Sequence, residues 1–258
     1  MIEIDLKGHN ALICGSSQGI GKSIATQMAE AGAKVTLLAR NQQSLTQVLD
    51  SLPGEGHSYL VADFQVEGAL EQIEKNVRDG NYTILVNNAG GPPPGPLESA
   101  NWGSIMKAMQ THLHVSHQLV QWTSGAMKAA KYGRIINIIS TSVKIPLAGL
   151  GVSNTVRGAM ASWSKTLSME LGAFGITVNN LLPGFMETTR LKQIISNKSN
   201  NSGLPEDQVI QSMKSEVPSK RFGHPDEMGA IAVFLASSQS GYINGVSIPV
   251  DGGRTGSI

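Results

Sequence analysis

Seven short apolar runs, each bounded by turn-forming Gly, Asn or Asp, recur along the chain at residues 11–14, 35–38, 59–62, 84–86, 135–139, 177–182 and 246–250. They are nearly continuous in hydrophobicity, without the alternation of a half-exposed strand, and that suits parallel strands covered on both faces. Longer segments with helical spacing lie between them. Ile24, Met28 and Ala31 repeat this way, as do Ala69, Ile73 and Val77, and Ala159, Trp163, Leu167 and Leu171. Strand alternating with helix predicts an α/β fold, a Rossmann-like doubly wound parallel sheet of about seven strands in three layers.

Length and charge narrow the function. The chain has 258 residues and no linker or composition shift, so 1–258 reads as one domain. Twenty basic and 19 acidic residues give a net charge of +1, and aromatics make up 5 %. Neither a basic surface for a phosphate backbone nor a stacking platform for single strands is available, so nucleic acid is not an expected partner. No membrane partner is expected either, because the longest apolar runs, such as 230–236, fall far short of the ~20 residues of a membrane helix. The first seven residues lack a basic region followed by an apolar core, and the one cysteine, Cys14, has no internal partner. A cytoplasmic protein is the expectation.

The first strand runs into Gly15-Ser16-Ser17-Gln18-Gly19-Ile20-Gly21, with a helix expected from near Lys22. Glycines allow a tight turn and close backbone approach, and a helix start presents free N–H groups to a pyrophosphate. Gly15, Ser17, Gln18, Gly19, Ile20 and Gly21 are therefore candidate cofactor contacts. About 20 residues on, the second strand ends at Ala39-Arg40 with no carboxylate to hold ribose hydroxyls. Arg40 can pair with a 2′-phosphate, or it is an ordinary solvated arginine; the first reading favours NADP(H), with NAD(H) as the other candidate.

These motifs, with Asp63 after the third strand, Asn87-Asn88-Ala89-Gly90 after the fourth, Ser140 after the fifth, Pro183-Gly184 after the sixth and the closing Asp251-Gly252-Gly253, resemble the short-chain dehydrogenase/reductases over essentially the whole chain. The run Arg221 to Glu227 and the stretch from Tyr242 to Gly245 add to the match. The resemblance implies that Asp63 meets the adenine, that Asn87, Ala89 and Gly90 lie beneath the adenine ribose, and that Pro183, Gly184 and Thr188 face the nicotinamide. Asn179 reads as scaffold. Cys14, where the family usually has threonine, reads as a packing residue.

The family's catalytic set is a serine, a tyrosine 13 residues later, a lysine four further on, and an asparagine on the preceding helix. Ser140 matches the serine, but Ser153 and Arg157 stand at the other two spacings, and the asparagine position falls at about His112. The pattern resembles a divergent branch with Ser-Asn-x-x-Arg, similar to 3-oxoacyl-acyl-carrier-protein reductases. An aliphatic hydroxyl is a far weaker acid than a phenol, so Ser153 is a poor general acid. Arg157 keeps the charge for ribose hydroxyls but does not give up a proton at working pH. His112 titrates in the useful range if unperturbed, and it, or a water held by Ser140 and Ser153, is the candidate proton donor; the other reading makes it an ordinary helix residue. No metal site is expected: His112 and His114 point about 200° apart on a helix, and no carboxylate or cysteine completes a set with His117. Lys144 reads as solvated.

The expectation is an NADP(H)-dependent oxidoreductase interconverting a carbonyl and an alcohol on a small-molecule substrate. A nucleotide-binding homologue without turnover is the alternative. The loop GGPPPGP at 90–96 should border the ligand, and a segment at about 189–218, with a mobile SNKSNNSG centre at 196–203, should cover the substrate. The resemblance also implies a homo-oligomer, tetramer or dimer, built through helices near 103–130 and 153–171.

Overall fold

The computed structural model describes residues 4–257, so Met1–Glu3 of the N-terminal stretch and Ile258 lie outside the described residues. Seven strands form one sheet: β1 (Asn10–Cys14), β2 (Lys34–Ala39), β3 (Ser58–Val61), β4 (Ile84–Asn87), β5 (Gly133–Ile138), β6 (Ile176–Pro183) and β7 (Ser247–Val250). Every pairing is parallel, and the order is β3-β2-β1-β4-β5-β6-β7. All carboxyl ends of the strands therefore share one edge. The order reverses between β1 and β4, where doubly wound sheets open a crevice for ligands.

Each inner strand supplies two cores by simple alternation. On β1, Ala11 and Ile13 join one buried cluster, while Leu12 and Cys14 join the other; on β4, Ile84 and Val86 part from Leu85 in the same way. The first cluster is covered by α1 (Gly19–Glu30) and α9 (Pro225–Ala236), the second by α3 (Glu74–Asp79) and α5 (Val115–Ala130). Burial on both faces accounts for the continuous apolar runs.

A polar row crosses the sheet on the face under α6 (Gly151–Leu171). Asn87, Asn137, Asn180 and Ser247 occupy paired positions on β4 to β7. Asn87 donates to Asn137 at 2.7 Å, Asn137 to Asn180 at 3.1 Å and to Ser164 of α6 at 2.9 Å, and Asn180 to Ser247 at 3.1 Å. The row also bears on which residues α6 buries. The fully buried stripe is Val152, Val156, Met160, Ser164, Ser168 and Leu171, with Ala159, Trp163 and Leu167 only partly covered. Ser164 is inside because Asn137 of the row donates to it, and Ser168 because its hydroxyl donates to the Lys165 carbonyl, partnerships that a hydrophobicity pattern does not register.

The segment after β6 is also more regular than expected. The polar stretch at 196–203 is not a mobile loop: it is the second half of α7 (Thr189–Ser202), ended by Gly203 at φ 72°. Leu191 and Ile195 bury one face of α7 against Val209 and Met213 of α8 (Glu206–Ser215) and against Phe222. Two apolar residues per turn pair suffice to hold a helix whose outer face is Asn and Ser. Among the described residues, no helix is long and apolar enough to cross a membrane.

Candidate functional site

The glycine turn begins the site. α1 starts at Gly19, three residues before the expected Lys22, and Gly15 and Gly19 both have positive φ. A Cβ on Gly21 would overlap the Gly15 carbonyl, and one on Gly15 would press on Asn88. The Asn88 amide donates to the carbonyls of Cys14 and Gly15, both at 3.3 Å, so the end of β4 pins the turn from the far side of the crevice. Buried Ser16 accepts from the Leu38 N–H at 2.9 Å and ties the turn to β2. Ser17 and Gln18 stay accessible, as does Ile20. The result is a backbone cradle with a free helix start, the geometry that a dinucleotide pyrophosphate needs.

The flanking candidates line the same edge. Arg40 follows β2 directly, is exposed, and makes no hydrogen bond or ion pair within the described residues. Asp63, half-buried after β3, accepts from the Gln65 N–H at 3.0 Å. Across the crevice, Thr188 caps α7 by accepting from Leu191, and its methyl lies 3.2 Å from where a Gly19 Cβ would be. Gly184 follows Pro183 with its Cα against Asp251, close enough that a side chain there would overlap. Asn179 is scaffold, donating to the Ile243 carbonyl and accepting from the Val246 N–H. The Asn87 side chain is 5 % exposed and donates to Asn137 within the polar row.

The helix expected near 103–130 runs from α4 (Trp102–Met109) through a π-helical turn, Gln110–His114, into α5. His112 sits in that turn, a geometry frequent at functional sites, and is buried. Desolvation, then the Arg157 charge, push its pKa down to about 3, against a smaller opposing pull from a hydrogen bond with the Gly90 backbone. Burial thus favours the neutral imidazole.

Arg157, on α6, is 7 % exposed. Burial lowers its pKa to about 10, which leaves it cationic at neutral pH. Its guanidinium donates to the Ile138 carbonyl at 3.1 Å and the Ala89 carbonyl at 3.5 Å, and its Nε has no partner. Its guanidinium therefore lies between the ends of β4 and β5. Arg157, His112, Asn87 and Ala89 meet around one small void with room for about one water molecule. Ser140 and Ser153 are not among its lining residues.

Ser140 stands just past β5 and accepts from the Ser142 N–H at 3.1 Å, which leaves its own O–H free to donate. Ser153, in the first turn of α6, is half-buried, and its hydroxyl makes no hydrogen bond within the described residues. Asn154 beside it is structural, exchanging hydrogen bonds with the Leu147 backbone. Cys14 is buried with its thiol pushed up to about 12, consistent with packing alone. Spacing gave no sign of Arg190. From the first turn of α7 its guanidinium donates to the Pro92 carbonyl at 3.3 Å, joining the covering segment to the 90–96 loop.

A family model described as enoyl-(acyl carrier protein) reductase matches residues 15–255. The NADPH-dependent reductase BacG of Bacillus subtilis is 32 % identical over 97 % of this chain and 99 % of its own length. The 3-oxoacyl-[acyl-carrier-protein] reductase FabG of Vibrio cholerae is 31 % identical over 97 % of this chain and 98 % of its own. Among solved structures, L-sorbose reductase from Gluconobacter frateurii, complexed with NADPH and L-sorbose, superposes with a TM-score of 0.93 at 28 % identity, covering 100 % of both chains. With this match along nearly its full length and the parallel sheet, glycine turn and Asn-Ala-Gly turn already described, the chain belongs to the short-chain dehydrogenase/reductase family.

Proposed function

We propose that this protein is an NADP(H)-dependent oxidoreductase interconverting a carbonyl and an alcohol on a small molecule. The observation that carries the reading is the intact cradle at Gly15–Gly21 with an unpaired arginine, Arg40, and no carboxylate at the end of β2. Relatives described by NADPH dependence or by NADPH in the crystal support the same choice. NAD(H) remains the weaker fit, since nothing there would grip two free ribose hydroxyls.

In this assignment the N–H groups at the start of α1, with Ser17, Gln18, Gly19 and Ile20, hold the pyrophosphate, and Gly15 and Gly21 leave room for it. Arg40 takes the 2′-phosphate, Asp63 the adenine, Ala89 and Gly90 the ribose side, and Pro183, Gly184 and Thr188 the nicotinamide end. The bound cofactor supplies the hydride. Ser140 donates its free O–H to the substrate oxygen and so stabilises the charge that develops there. Ser153 offers a second hydroxyl that orients a water as the proton source. The 189–218 segment covers the substrate from the side of α7. The exposed flanks of α4, α5 and α6 serve assembly into a dimer or tetramer.

Turnover of NADPH with a panel of ketones, compared between the natural chain and Ser140→Ala, tests the reading. Loss of an oxyanion donor should lower kcat about 100-fold or more. A turnover rate unchanged in Ser140→Ala would remove Ser140 from the chemistry.

One observation favours a second reading, in which the chain binds the nucleotide without turning it over. No phenol stands at Ser153, and His112 is held neutral by burial. NADPH that raises the melting temperature but is consumed with no carbonyl would support this reading.

A further inference from the structure

The turn Ala89-Gly90-Gly91 links β4 to the ligand loop, and its two glycines give it little conformational restraint of its own. Above it there is open space: a Cβ on Gly90 would meet nothing within 4 Å. Below it, two buried side chains reach up from different helices. Arg157 of α6 holds the Ala89 carbonyl with one terminal nitrogen and the Ile138 carbonyl with the other, while the former lies 3.8 Å from where a Gly91 Cβ would be. His112, in the π-helical turn, lines the same small void as Arg157, Asn88 and Ala89. Arg157 thus cross-ties the ends of β4 and β5, and His112 packs beside it under the start of the turn. Farther out the loop is tied again: Gly95 accepts from the Gly151 N–H at 3.0 Å and donates to the Gly149 carbonyl at 2.7 Å, at the start of α6.

We propose that His112 and Arg157 are positioning residues that fix the 89–91 turn from beneath as a platform for the cofactor and substrate, and that neither takes part in proton transfer. The proposal rests on the assignment of the crevice as a nicotinamide site. It accounts for several features at once. A delocalised guanidinium spans two carbonyls that a single ammonium would reach only in part, and the π-helical turn brings His112 to the void beside Arg157 and Ala89.

The test is amide hydrogen exchange over residues 87–97 of the full chain with NADPH, in the natural protein and in Arg157→Met, Arg157→Lys, His112→Ala and His112→Asn. Arg157→Met and His112→Ala should loosen the loop that the turn supports and speed exchange at Gly95, whose N–H is held by the Gly149 carbonyl, about tenfold or more. His112→Asn, which keeps a donor and an acceptor near Gly90, should return exchange toward the natural rate, and Arg157→Lys should fall between. With a carbonyl substrate, kcat should drop about 10- to 100-fold wherever exchange rises and recover in His112→Asn. If Arg157→Met does not fold, Arg157→Lys and the two His112 variants decide the matter. Exchange unchanged in every variant would overturn the proposal. So would a His112→Asn protein with natural exchange and no turnover, because that pattern marks a proton-transfer role. Absence of turnover in the natural chain would sink the functional reading instead, while the exchange rates would still judge the platform.

Discussion

The Gly21 backbone lies so close to the Gly15 carbonyl that any side chain at 21 would overlap it, and the same approach brings Gly21 against the Asn88 amide. The glycine cradle is therefore closed by Gly15 just after β1, Gly21 within α1 and Asn88 just after β4. Gly21→Ala should cost about 1–3 kcal/mol through overpacking and abolish stabilisation by NADPH. Melting with and without NADPH checks both effects; an Ala variant that NADPH still protects as well as the natural chain would show that the cradle is elsewhere.

Arg40 has no partner among the described residues, so removing it should leave the fold untouched. Arg40→Ala should weaken NADPH by about 10- to 100-fold, the loss of a charge-assisted hydrogen bond, and leave NADH nearly unchanged. Titration of both nucleotides against both proteins measures this. Equal weakening of the two would argue that Arg40 does not touch the 2′-phosphate.

His112 carries a pH signature. Its pKa falls from an ordinary 6.5 to about 3 on folding, so below about pH 6.5 the unfolded chain takes up a proton that the folded chain refuses. Its contribution is fully present above pH 6.5 and shrinks as pH drops toward 3, with a slope approaching about 1.4 kcal/mol per unit. Urea unfolding at pH 7 and pH 5 should show this loss in the natural chain and a smaller one in His112→Asn. Identical pH dependence in the two would mean that His112 is not buried neutral.

The polar row gives a stability prediction. Asn137 bonds Asn87, Asn180 and Ser164 at once, so Asn137→Ala strands three buried groups. We expect a loss of about 3 kcal/mol or more in urea unfolding. A change below about 1 kcal/mol would mean that the row relaxes onto other partners.

The sheet was legible because burial on both faces writes itself into the sequence as continuous apolar runs, and every predicted strand overlaps an observed one. The cradle was legible because glycine at 15, 19 and 21 marks backbone that side chains would obstruct. Other features left no such trace. The stretch at 196–203 reads as a loop by composition, yet two buried residues, Leu191 and Ile195, and a capping Gly203 make it helix. The buried Ser164 of α6 left no trace because it answers Asn137, 27 residues away in sequence, a partnership that only the folded sheet brings together. His112 and Arg157 were located by spacing, but their burial and the carbonyls that Arg157 meets are set by the folded sheet and leave no local pattern. Arg190 reaches Pro92 only through the placement of α7, which no local pattern encodes.

The central claim, a carbonyl-reducing NADP(H) site without the family's usual phenol, is tested most directly by mixing the natural chain with NADPH and a panel of ketones while following both melting temperature and nicotinamide absorbance. We predict a raised melting temperature with NADPH and loss of absorbance with at least one ketone, faster than with NADH. NADPH that neither stabilises the protein nor is consumed would contradict the account.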